Sequence, residues 1–158
     1  MADNAVTLTS SNKSILSEQE QASFGFTNKF RINFADFSTV TTTGATDTVT
    51  FTLGALPAKW LVDKALINVT TAFTGITGAT TLAVGTTTTV AAFVTAVTCT
   101  ATGAIQMAST LPVLTNATAT ATKSMVATFT TAGTGGPAGI TAGQCDIYLS
   151  IADQSKLP

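Results

Sequence analysis

The chain has 158 residues, a net charge of −1, and charged side chains at only 9% of positions. An acidic balance with no cluster of Lys and Arg excludes nucleic acid as the main partner, because phosphate backbones are held by grouped cations. There is no histidine, which removes the commonest general base, the histidine triads and most zinc sites.

The length predicts one domain with a sizeable core. Hydrophobic residues make up 45% of it and mean hydropathy is +0.41. No apolar run reaches the ~18 residues of a spanning helix, so no membrane is expected as partner. The chain begins at Met1 without a basic flank and apolar run, so synthesis in the cytoplasm is expected rather than secretion.

Residues 1–28 differ from the rest. They are polar and serine-rich, and Ser17 with Glu20 has capping-box spacing, the mark of a short helical turn. Two readings stand open for this arm: a flexible tail, or a segment that orders against a neighbour. Val6, Leu8, Ile15, Leu16, Phe24 and Phe26 would give an ordering arm something to bury.

Residues 29–158 read as a β-sandwich body. Phe30, Ile32 and Phe34 are predicted to share the buried face of a first strand. Residues 41–46, with Gly44, read as a turn. Val49, Phe51 and Leu53 then alternate with threonines, a period of two that predicts a half-buried strand. Pro57 has no N–H for a ladder and must end it. Ala65, Ile67, Val69 and Phe73 share the face of a second strand. Gly75 and Gly78 break the chain, and a third strand ends at Gly85. Phe51, Ile67, Val69 and Phe73 are the expected centre of the core.

The second half is weaker. Residues 90–94 are an apolar run that periodicity cannot divide between strand and helical turn. Residues 97–102 and 105–107 read as short strands around Gly103, 111–114 as a bend, and 117–122 as a weak strand. Met125, Ala127 and Phe129 alternate on one strand, with Val126 on its other face. Residues 131–143 form a Gly-rich loop. Cys145, Ile147, Leu149 and Ile151 predict a final inward-facing strand. Eight to ten short strands about ten residues apart suit a sandwich or jelly roll.

Chemistry-bearing motifs are few. The carboxylates are scattered singly. Gly133 to Gly139 lacks the following helix and the Gly-Lys-Ser/Thr of a nucleotide loop, and reads as a hairpin connection. Cys99 and Cys145 are far apart, with no Cys-x-x-Cys, and are expected as buried free thiols. Trp60 and Tyr148 could stack on a sugar, although core or interface roles suit them better. No enzyme, no cofactor, no metal and no small-molecule substrate is expected.

Threonine fills about one position in five, and Lys123 is the sole charge between Ala65 and Cys145. β-branched threonine favours strand and keeps an outer face wettable. Such a surface barely repels its own copies, which points to a protein that works packed against other chains.

The block Phe34-Ala35-Asp36-Phe37, Val49-Thr50-Phe51, Leu56-Pro57-Ala58, Ile67-Asn68-Val69-Thr70-Thr71-Ala72-Phe73 and Leu82-Ala83-Val84-Gly85 resembles small structural proteins of tailed bacteriophages. Capsid decoration, or cement, proteins with a jelly-roll body are among them. The match covers about a third of the chain. It implies a structural protein on the capsid surface of the virion, with the major capsid protein as partner. It also implies a homotrimer set at three-fold or quasi-three-fold positions. In that setting Val6, Leu8, Ile15 and Leu16 would meet the capsid or a neighbouring subunit. Other virion parts (head fibre, neck or tail) and a carbohydrate-binding β-sandwich are the alternatives.

Overall fold

A computed structural model describes residues 3–7, 13–17, 19, 25–41, 43–44, 46–106 and 121–153. The arm contributes β1 (Asp3–Thr7) and β2 (Lys13–Ile15). The body contributes β3 (Asn28–Asn33), β4 (Thr48–Leu56), β5 (Trp60–Thr74), β6 (Thr80–Thr86), β7 (Thr89–Thr98), β8 (Gly103–Gln106), β9 (Lys123–Thr131) and β10 (Ala142–Asp153). They form two five-stranded sheets, the first in the order β1-β4-β9-β6-β7 and the second in the order β2-β3-β10-β5-β8.

The body is a jelly roll. β6 pairs with β7, β5 with β8, β4 with β9 and β3 with β10, all antiparallel, and successive pairs fall in opposite sheets. One long hairpin has been wound into two layers. The arm adds one strand to each layer: β1 runs parallel to β4, and β2 antiparallel to β3.

Alternation builds the core between the layers. In the first sheet Val49, Phe129 and Leu82 stand in one row and Phe51, Ala127 and Val84 in the next. In the second sheet the rows are Phe30, Ile147, Ile67 and Ile32, Cys145, Val69. All of these are buried. Phe51 lies on β4, while Ile67, Val69 and Phe73 lie on β5, so the four sit on opposite walls of one core.

Phe34 departs from the expected pattern. β3 stops at Asn33, whose N–H donates to the Asp36 carboxylate at 2.8 Å, and residues Phe34–Phe37 form a 3-10 turn. The turn rotates Phe34 outward, 49% exposed, and drives Phe37 inward instead. The Phe37 ring lies 5.2, 6.0 and 5.0 Å from those of Phe51, Phe73 and Phe129.

Other segments also differ from the sequence reading. Residues 90–94 are strand, within a β7 that runs unbroken to Thr98, so 99–102 is a connection and not strand. Val126 lies on the outer side of β9 yet is buried. Its register partner is Gly85, and a Cβ there would strike the backbone at Thr89, Val90 and Ala92. The start of β7 therefore folds over this point. The Gly-rich loop is no hairpin connection, because β9 and β10 belong to different sheets. It crosses between the layers, and Gly133 packs backbone to backbone against Gly78, where neither position has room for a Cβ. Glu18 and Glu20 of the expected helical turn, the bend at 111–114 and most of the weak strand at 117–122 lie outside the described residues.

Phe73→Ala should lower stability by about 3–5 kcal/mol, from lost burial plus a cavity, read as the urea midpoint at unchanged slope. Gly143→Ala should shift the same midpoint downward, because its Cβ would run into the Phe73 ring at a backbone φ of 144°.

Candidate functional site: edges, an outer face and a cleft

The arm residues expected to meet a partner sit as follows. Val6 is opposite Phe51 in the β1–β4 ladder, half-buried and packed on the core. Ile15 pairs with Asn28 at the end of β2. Leu16 is buried, and its N–H donates to the Thr27 carbonyl at 3.0 Å. Leu8 lies outside the described residues. The arm thus has a third option besides a free tail or a neighbour: the sheet edges of its own body. β1 is an edge strand, paired with β4 on one side only.

β6, β7, β8 and β9 carry a single charge, Lys123. The outer face of the first sheet is a threonine array. Thr48, Thr130, Thr81 and Thr98 stand in one row across four strands, with Thr50 and Thr128 paired beside them. The outer edge strand β7 has neither proline nor charge to guard it, and its Val90 is 47% exposed.

What charge there is gathers on the second sheet. Asp146, buried on the outer side of β10, stands between β3 and β5. It accepts from Arg31 Nε at 2.8 Å and Nη2 at 3.1 Å, and from Lys29 Nζ at 2.8 Å. Lys29 also lies 5.3 Å from the Tyr148 ring centre, which packs on Phe26 at 5.9 Å. Burial alone would push the Asp146 carboxyl up, but the hydrogen bonds from Arg31 and Lys29 outweigh it and hold its pKa below the ordinary 3.8. The densest basic spot of the sequence is thus a structural cluster, in which two cations share one buried carboxylate. Sequence reading missed its partner, which lies 115 residues away from Arg31.

An open cleft of about 600 Å³ lies beside β2 and the β4–β5 turn. Phe30, Leu53, Met125, Trp60 and Ile151 wall it, and Lys13, Ser14 and Asn28 add polar groups. The turn that shapes it is tight. Trp60 N–H donates to the Pro57 carbonyl at 3.2 Å, and Lys59 takes a left-handed φ of 65°. Trp60 and Tyr148 do not share a groove: one lines this cleft and the other lies on the outer side of β10. Cys99 and Cys145 are free and buried. Burial pushes the Cys99 thiol up to about 12 and raises Cys145 as well. Neither is poised as a nucleophile. Among the described residues no group of three or more His, Cys, Asp or Glu could hold a metal ion, and no helix is long and apolar enough to cross a membrane.

The folded pKa of Asp146 is depressed, so its contribution is fully present above the unfolded value and is lost as pH falls through the folded one. Asp146→Asn should cost about 1–3 kcal/mol at neutral pH. It should also flatten the fall in stability between about pH 5 and pH 2, followed by urea midpoints across that range. The native protein should resist a thiol reagent at pH 8, and denaturation without reductant should release two thiols per chain; none released would mean a disulfide.

No family model, no curated protein and no solved structure matches this chain.

Proposed function

We propose that this protein is a structural component of a bacteriophage virion. It binds the outer surface of the capsid at three-fold or quasi-three-fold positions as a homotrimer and stabilises the shell. Its partners are the major capsid protein and its own copies; it is made in the host cytoplasm and uses no cofactor or substrate. The observation that carries this reading is the nearly uncharged body from β6 through β9, faced with threonine. Little electrostatic repulsion opposes close packing there. Closed three-fold symmetry buries a shared surface without leaving an open end for fibres. The resemblance between Phe34 and Gly85 supports the same reading, as does the jelly-roll body. β1 and β2 lie at the sheet edges, where the arm, residues 1–28, can reach a neighbour or the shell.

Head fibre, neck and tail proteins would share these features, and the neighbouring genes distinguish them: capsid and protease genes favour decoration. A carbohydrate-binding sandwich has less support, because Trp60 and Tyr148 do not gather as exposed aromatics around one groove.

Analytical ultracentrifugation at tens of micromolar should give a trimer, and the protein should bind undecorated heads. Deleting residues 1–28 should weaken head binding if the arm grips the shell, or trimer formation if it crosses between subunits. A monomer that ignores undecorated heads would overturn the proposal.

A further inference from the structure

We propose that the cleft beside β2 is a binding site for an amphipathic carboxylate, with an apolar tail between Leu53, Met125 and Trp60 and the carboxylate on Lys13. The proposal does not depend on the virion reading. The cleft, at about 600 Å³, has the size of a small-ligand site, which typically spans about 300–1,000 Å³. Its walls are mainly apolar, so a hydrocarbon tail gains by leaving water there. Lys13 is the one ionised group among its described lining residues, and no carboxylate pairs with it among the described residues. The charge that such a site lacks is therefore negative.

Asn28 adds direction. The Thr27 hydroxyl donates to Asn28 Oδ1 at 2.7 Å, so the amide N–H₂ is the group Asn28 can offer as donor in the cleft that Lys13 also lines. A carboxylate can accept from both. A multiply charged ligand such as a nucleotide would leave most of its charge unmatched against one lysine. A cationic amphiphile would meet no carboxylate among the described lining residues. Lys13 and Ser14 belong to β2, so an occupied cleft would also hold this arm strand against β3.

Trp60 is the chain's single tryptophan, and its emission reports the cleft directly. Titrating the full-length protein with decanoate should shift that emission saturably. Acetate, which has no tail, and decyltrimethylammonium, which has the wrong charge, should give no saturable shift. Lys13→Gln should raise the decanoate Kd about tenfold or more, and Ala55→Phe should block the cleft. Circular dichroism and urea midpoints would verify that both variants fold. The proposal is overturned by the absence of a saturable shift, by an equal response to decyltrimethylammonium, or by unchanged decanoate binding in either folded variant.

Discussion

Four phenylalanine rings couple the two sheets. Phe51 and Phe129 come from the first and Phe73 from the second. Phe37, which belongs to neither, sits within 6.0 Å of all three. Phe73 and Phe129 also meet directly across the core at 5.0 Å. Tilted and edge-on ring pairs contribute about 0.5–1.5 kcal/mol each beyond their burial, but their geometry matters as much. With Phe37 wedged among them, neither sheet can slide without breaking several contacts. The Asn33–Asp36 contact that ends β3 is therefore part of the core's design, because it aims that ring.

Given a locked core, the differences between surfaces decide what the molecule can meet. The second sheet gathers two cations around one buried carboxylate. The first sheet shows hydroxyls and methyls in rows with almost no charge. Between the layers, on the arm side, lies an apolar cleft whose described lining carries one charged group, Lys13. The arm touches both layers: β1 rests on the first sheet and β2 on the second. Whatever displaces or holds the arm acts on one sheet edge and one wall of the cleft together.

Much of the body was legible in the sequence because alternation is local. Val49, Phe51 and Leu53 declare their strand within six residues, and Ala65, Ile67, Val69 and Phe73 do the same. Phe34 misled because the period of two runs past the end of β3. What stops that strand is a single side-chain contact from Asp36, which no periodicity registers. The Gly-rich loop misled because a crossover between layers and a hairpin ask for similar residues, and only the partner strands tell them apart. The pairing of Lys29 and Arg31 with Asp146 was invisible for a simpler reason: sequence distance hides it. The cleft too is assembled from β2, β3, β4, β5, β9 and β10, with no motif in any of them.

β10 lies at the centre of the second sheet and is the last of the described strands. Until it is synthesised, β3 and β5 have no strand between them, and the same holds for β4 and β6 until β9 emerges. Neither layer can close before β9 and β10 have been made, so the body must assemble after these late strands arrive. Pairing ends that are more than a hundred residues apart also places the fold among the slow ones, where distant contacts must form before they stabilise anything. During that wait β4, β5 and β6 present alternating apolar faces without partners. A surface rich in threonine and poor in charge does little to keep such chains apart, so the yield of folded protein should depend on how crowded nascent chains are.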